Sequence, residues 1–354
     1  MTEGRAQSLP PIPVANLLRI AFYAGDLLDE FDDCEAARED GARFDDVLQA
    51  MLARAADRIR LRGFECGYSQ DEELTTRPRG RMLVAESIAS CAIPTRRLAC
   101  RFDEFGADTA HNRVLKAAAR QLARTSDESP AKDGLRALVR EMRDVGDVRL
   151  SRRLLSSLPR SIATRRYRVV RFIARLIVES GQPDERLGEE WARRLVQDEV
   201  KMRAVFERFV QRYGRAHAPR GTRVGRSHLH WSAAEQPHVG GLETDVTIKR
   251  DGAVRIVECK YMREWTSSGP FGAESFHAAH LRQIYAYLAR TRDTAAVPTR
   301  VDGVLLYPAI ADATEQAIDL GGFAVRVVRL PLSAPWSELT GYLERVLFGN
   351  EDAR

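Results

Sequence analysis

Cysteine is scarce and unpatterned. Cys34, Cys66, Cys91, Cys100 and Cys259 are odd in number and contain no C-x-x-C spacing, so neither a zinc cluster nor a disulfide framework is indicated. No run approaches the ~18–20 uninterrupted apolar residues of a membrane span. Met1 to Pro13 is polar and then proline-rich, without the apolar core of a signal peptide, so a cytoplasmic location is expected. A glycine-rich phosphate-binding loop of the Walker type is missing, and this chain is not expected to hydrolyse a nucleotide itself. No Ser/His/Asp set, internal repeat or low-complexity segment stands out. What remains is an ordinary globular composition, 44% hydrophobic and 30% charged, that by itself separates neither enzyme from scaffold.

The charge is more informative in kind than in amount. The balance is 55 basic against 50 acidic residues, net +5, yet most of the bases are arginine. They gather at Arg152-Arg153, Arg165-Arg166-Tyr167-Arg168 and Arg212 to Arg226. Guanidinium matches phosphate oxygens two at a time, which makes nucleic acid a fitting partner. Arginine usage also follows genomic composition, so charge alone decides nothing.

With 354 residues, two domains are expected. Helical spacing predicts helices over Pro13 to Asp29, Phe44 to Leu61 (stopping at Gly63) and Asn112 to Ala123. Phe64 to Tyr68 and Met82 to Ile88 read as β-like runs flanking Arg77-Pro78-Arg79-Gly80-Arg81, a loop or hairpin tip, and Arg97 to Phe102 as a further strand. Thr125 to Asp133 reads as a polar loop. Residues 134–200 then read as helices broken at Gly146, Pro159 and the Gly181-Gln182-Pro183-Asp184 turn.

From about residue 199 the pattern changes. Met202, Val205, Phe206, Phe209, Val210 and Tyr213 form one buried helix face. Strands follow near Ser227 to Trp231, Glu243 to Lys249, Val254 to Tyr261, Val301 to Tyr307 and Phe323 to Arg329. A helix over about Ser275 to Ala289 crosses between the third and fourth, and another, Trp336 to Phe348, closes the chain. Interleaving of this kind predicts an α/β domain, a mixed central sheet flanked by helices, over 199–354, after an N-terminal domain with a helical connector over 1–198.

The chemistry concentrates in one hairpin. Period two puts Glu243, Asp245 and Thr247 on one strand face; Asp251-Gly252 is a hairpin turn; Glu258 and Lys260 share a face of the return strand. The separation of 258 − 245 = 13 residues brings Asp245 beside Glu258. Two carboxylates offer hard oxygen ligands to Mg²⁺, and a lysine stabilises charge developing on phosphorus, which is what phosphodiester hydrolysis requires. Gln283, on the following helix 23 residues after Lys260, is placed to add a polar group to the site. The competing reading is a surface salt bridge on an amphipathic hairpin; the apolar strand running straight into Glu-Cys-Lys favours a nuclease. His228 and His230 lack a third ligand and read as ordinary strand residues.

These residues resemble the McrC family, the nuclease subunits of McrBC modification-dependent restriction systems, along nearly the whole chain. The resemblance is carried by Ile12-Pro13-Val14-Ala15-Asn16, Arg62-Gly63-Phe64, Arg79-Gly80-Arg81, Glu243-Thr244-Asp245, Glu258-Cys259-Lys260-Tyr261, Gln283 and Leu306-Tyr307-Pro308. It implies a PD-(D/E)xK restriction-endonuclease-like domain, with Asp245 and Glu258 as metal ligands and Lys260 as the catalytic lysine. Thr244 replaces the motif's proline, and Glu258 stands where relatives often have aspartate. Glu207, on the preceding helix, is a further acidic candidate, though it lies off that helix's buried face. The resemblance also implies a ring-forming, McrB-like AAA+ GTPase as partner, acting on double-stranded DNA with modified bases. The N-terminal half would dock in that ring and stimulate its GTPase, with Arg79 and Arg81 as contact residues. A stand-alone repair nuclease and a non-catalytic DNA-binding or adaptor subunit are the alternatives.

Overall fold

Helix α1, Val14–Gly25, buries Leu17, Leu18, Ile20 and Phe22 and stops where Asp26 turns left-handed at φ 63°. In the computed structural model, which describes residues 12–27, 44–90, 93–124, 130–159, 165–180, 187–231, 240–262, 266–268, 274–293, 298–309 and 313–349, this helix belongs with the C-terminal half. Two compact units form: residues 29–191, and residues 1–28 joined with 192–354. Helix α1 thus falls in the same unit as residues 192–354, apart from residues 29–191. Asn16 Nδ2 donates to Leu332 O at 2.8 Å and Ala334 O at 2.9 Å, and Arg212 Nη1 donates to Ala24 O at 2.8 Å. Tyr23 packs edge-on against Phe209, ring centroids 5.6 Å apart. Helical periodicity shows which face of α1 is buried but not against what.

Residues 29–191 combine a helical core with a small sheet. Helix α2, Phe44–Leu61, ends before Gly63, whose φ of 81° suits a residue without Cβ. Strand β1, Gly67–Thr75, is followed by β2, Arg81–Met82, and helix α3, Val84–Ala89; β3, Leu98–Gly106, lies between β1 and β2, antiparallel to both. The strand expected over Met82 to Ile88 is therefore mostly helix. Ser87 Oγ donates to Leu83 O and accepts from Ala99 N at 2.8 Å, clamping α3 onto β3 where a strand partner would have been. A short apolar run does not distinguish the two by itself.

The helices α4, Ala110–Leu122; α5, Pro130–Glu141; α6, Arg152–Ser156; and α7, Arg168–Ser180, complete this unit, and α8, Leu187–Gln197, carries the chain across the boundary. Leu48, Leu52, Leu115, Ala118, Leu135 and Ile173 are fully buried. The loop expected to reach Asp133 gives way to α5 at Pro130, proline being well suited to a first helical turn. The acidic segment before Phe44 and the turn at Gly181 to Asp184 lie outside the described residues.

In the other unit α9, Glu199–Ala216, starts at Asp198, whose Oδ1 accepts from Lys201 N. Then come β4, Arg223–Gly225; β5, His228–Leu229; β6, Leu242–Glu243; β7, Val246–Arg250; β8, Ala253–Cys259; β9, Thr266–Ser268; and β10, Glu274–Phe276. Helix α10, Ala278–Arg292, leads to β11, Arg300–Ala309; β12, Thr314–Asp319; β13, Ala324–Pro331; and α11, Trp336–Phe348. The central sheet runs β12-β13-β11-β8-β7-β4, with β11 parallel to β8 and β13 and the remaining pairs antiparallel. This is the expected mixed sheet flanked by helices. Strands β4 and β12 were not foreseen: one is three residues long, and the other, Thr-Glu-Gln-Ala-Ile-Asp, lies mostly exposed at the sheet edge without an apolar alternation.

The two sheet faces have distinct coverings. Val254 and Ile256 pack with Ile284, Tyr287 and Leu288 of α10. On the other face Arg255 Nη1 donates to Val346 O, Leu347 O and Gly349 O at 3.0–3.2 Å, closing the last turn of α11. Its Nε and Nη2 bond both oxygens of Asp302, its register neighbour on β11, at 2.5 and 3.3 Å. Arg255 and Asp302 are both buried; removing Asp302 would leave the Arg255 charge without its counter-ion, at a cost of about 3–5 kcal/mol, whereas Asp302 also pairs with Arg300 at 3.3 Å.

Candidate functional site

The β7–β8 hairpin forms as expected. Asp251 and Gly252 both take left-handed conformations, φ 50° and 78°, the geometry of a two-residue turn matched to strand twist. Register then does the placing. Val246 lies opposite Val257, so Asp245, one residue earlier, falls beside Glu258. The continuous strand expected from Glu243 is interrupted, however. Glu243 pairs with His228 in the separate β5–β6 ladder. Between the ladders Thr244 is fully buried, its Oγ1 accepting from Ser227 N at 2.9 Å and lying 2.8 Å from Thr247 Oγ1. The hydroxyl that replaces proline thus ties down the bend presenting Asp245.

Four predicted residues come together. Asp245 Oδ2 accepts from Cys259 N at 2.9 Å. Lys260 lies just past β8, its backbone N–H donating to Leu306 O. Its Nζ donates to Glu258 Oε1 at 2.7 Å and to Gln283 Oε1 at 2.8 Å. Gln283 Nε2 in turn donates to the Tyr287 hydroxyl at 2.8 Å. That last link is an i, i+4 pair on α10 and was detectable from spacing.

Burial raises the Asp245 carboxyl above its ordinary value, against the Cys259 N–H and the cations Lys260, Arg226 and Arg203. Burial and the Asp245 charge together push Glu258 up to about 7, with Lys260 opposing. Glu258 is 2% exposed, and its Oε2 has no hydrogen-bond partner among the described residues. Burial also pushes the Cys259 thiol up, so it stays protonated and is no nucleophile.

Other neighbours were invisible in the sequence. His280 Nδ1 lies 2.7 Å from the Tyr307 hydroxyl. Burial, Lys260, His277 and Arg203 bring that imidazole down to about 4, neutral at pH 7. Tyr307 follows Leu306, the register partner of Cys259, a neighbourhood created only by the parallel pairing of β11 with β8. Glu207 is held by Arg226, which also reaches Glu243 at 3.1 Å; it makes an ion pair. His228 is largely exposed, 3.9 Å from Glu243, and His230 accepts through its backbone carbonyl from Arg290; both are ordinary polar positions.

Asp245 and Glu258 lie side by side as two carboxylates that could hold a cation. No cluster of three or more His, Cys, Asp or Glu suited to a metal forms among the described residues. Two hard carboxylates, one with an unpartnered buried oxygen, suit Mg²⁺, which characteristically takes one or two carboxylates and fills the rest of its shell with water and substrate phosphate.

Arg79 and Arg81 lie in the other unit, Arg79 on the exposed connection from β1 to β2 and Arg81 at the start of β2, opposite Arg101 of β3. Arg79 donates to Glu73 at 3.0 Å and stacks over Phe102, 3.5 Å from the ring centroid. Gly80, φ 68°, lies so close to β3 that a Cβ would fall 2.4 Å from Arg101 O. Only glycine fits, and it fixes the two flanking arginines against the edge of β3.

A sequence profile described as McrBC 5-methylcytosine restriction system component matches residues 9–308. The type IV methyl-directed restriction enzyme EcoKMcrBC of Escherichia coli K12 is 25% identical over 333 residues, spanning 92% of this chain and 94% of that protein. Among solved structures, a half-complex of Thermococcus gammatolerans McrB AAA+ hexamers with bound McrC aligns at TM-score 0.49 and 14% identity, over 95% of this chain and 75% of that one. The cryo-EM structure of the T. gammatolerans McrBC complex aligns at 0.36 and 15%, over 55% and 60%. Neither score is high enough to fix the fold, which rests on this chain's own elements and register.

Proposed function

The chain belongs to the family of McrBC 5-methylcytosine restriction system components, and we propose that it is the subunit that cuts DNA, a Mg²⁺-dependent endodeoxyribonuclease of the PD-(D/E)xK kind. The observation that carries this reading is a buried carboxylate pair with a lysine ammonium bonded to one of its members. Asp245 and Glu258 would hold the ion; when bound, Mg²⁺ neutralises phosphate and makes water more acidic. Lys260 then stabilises the extra negative charge on phosphorus as water adds and the ester oxygen leaves. Glu258 and Gln283 fix the ammonium from two sides, and Tyr287 fixes Gln283, so little reorganisation is needed when charge develops.

The partner in this reading is a McrB-like AAA+ GTPase that selects DNA bearing modified bases, with residues 29–191 as the docking unit and Arg79 and Arg81 as contacts. Asp245→Ala and, separately, Lys260→Ala are expected to abolish Mg²⁺-dependent cleavage by the assembled complex, while folding and assembly persist. EDTA should silence the wild type. Equal cleavage by wild type and Asp245→Ala at matched Mg²⁺ would remove the nuclease assignment.

A further inference from the structure

The arginine-rich stretch from Arg212 to Arg226 is only partly used by the site above. Arg226 holds Glu207 and Glu243, and Arg212 bonds α1. Arg223 does neither. It lies on edge strand β4 directly opposite Lys249 of β7. Side chains so placed are about 4.5–5.5 Å apart at Cβ, and like charges there destabilise a sheet. Both residues are exposed, and neither side chain has an ion-pair or hydrogen-bond partner among the described residues.

The surroundings make this pair a site rather than a decorated edge. Arg223, Lys249 and Arg250 line a groove of about 630 Å³ whose lining carries a single acid, Asp251, already engaged by Arg250. The groove is thus left with two uncompensated cations. Its position is set by period two: Lys249 and Thr247 share the sheet face that Asp245 would continue, and Thr247 lies opposite Gly225. Gly225 adds no side chain over the buried Thr247, and a Cβ there would meet nothing within 4 Å. Four residues of strand span ~13 Å, well under half of the ~34 Å repeat of duplex DNA. One duplex can therefore touch both ends of β7.

We propose that Arg223 and Lys249 form a binding site for the phosphodiester backbone of duplex DNA, laid along β7 toward Asp245. This rests on the nuclease reading for its orientation, but not for the binding itself. The cations would position a phosphate flanking the scissile one and carry no base specificity.

The test is the salt dependence of binding of the full chain to a short labelled duplex, by fluorescence anisotropy between about 50 and about 200 mM salt. Each phosphate contact contributes ~0.9 to the slope of log K against log salt. Arg223→Gln with Lys249→Gln should flatten that slope by roughly 1.8 and weaken binding at least about tenfold. The thermal midpoint should be unchanged or higher, because an opposed like-charge pair is removed. Exchanging the two residues, Arg223→Lys with Lys249→Arg, should keep the wild-type slope. Asp245→Ala should also keep it while lacking cleavage, which separates this inference from the nuclease assignment. An unchanged slope in the double glutamine variant, equal loss in the charge-conserving exchange, or no wild-type binding at the lowest salt would each overturn the proposal. The pair would then be an edge-strand guard against aggregation.

Discussion

Glu258 lies between a carboxylate that repels it and an ammonium that holds it, and burial tips the balance toward the protonated form. With its pKa pushed from 4.5 to about 7 in the folded protein, the folded state retains a proton that the unfolded chain has released. Stability therefore falls as pH rises from about 4.5 to about 7, and the loss is complete above that window. Glu258→Gln, which cannot ionise, is expected to stabilise the fold at pH 8 by an amount on the order of 1–3 kcal/mol, read as a higher thermal midpoint. The gain should shrink toward zero near pH 4.5, with cleavage lost throughout. A difference that does not vary with pH would mean that Glu258 ionises normally in the folded state. The fit to Mg²⁺ follows the same reasoning, since a bound cation offsets the burial and repulsion that leave this side chain strained when charged.

At the scale of elements, a hairpin is readable in a sequence and a register between distant strands is not. Asp251-Gly252, the two-residue period and the apolar run into Glu258 lie within one short stretch, so Asp245, Glu258 and Lys260 could be brought together on paper. Gln283 followed because α10 returns across the same face. Tyr307 comes near Glu258 and bonds His280 only because β11 lies parallel to β8, and Arg226 meets Glu207 only because β4 closes the sheet edge beside α9. Nothing local marks those encounters. The β1–β2 connection was legible as an exposed basic tip but not as one strapped to β3 by Gly80. Replacing Arg79 and Arg81 with alanine is expected to reduce stimulation of a McrB-like partner's GTP turnover several-fold at saturating chain, with the Asp245 site unaffected. Unchanged turnover would place the docking surface elsewhere in residues 29–191.

For the whole molecule, the unexpected result is that the chain's first helix closes the C-terminal unit. Removing residues 1–28 is expected to lower the thermal midpoint of the unit containing Asp245 and Lys260, because it uncovers the aromatic face of α9 and leaves the Leu332 and Ala334 carbonyls without the Asn16 amide. Asn16→Ala should reproduce part of the loss, about 1–3 kcal/mol. A truncated chain melting with the full-length one would show that α1 contributes nothing. The same arrangement sets a timetable at the ribosome. Helix α1 is made first, but α9 begins 199 − 25 = 174 residues after α1 ends, roughly 9–35 s later at ~5–20 residues per second. Throughout that interval Leu17, Ile20 and Phe22 have no native cover, while residues 29–191 emerge and fold in between. The nascent chain thus carries an apolar helix whose cover is complete only when translation has passed both α9 and the Leu332 and Ala334 carbonyls that Asn16 binds.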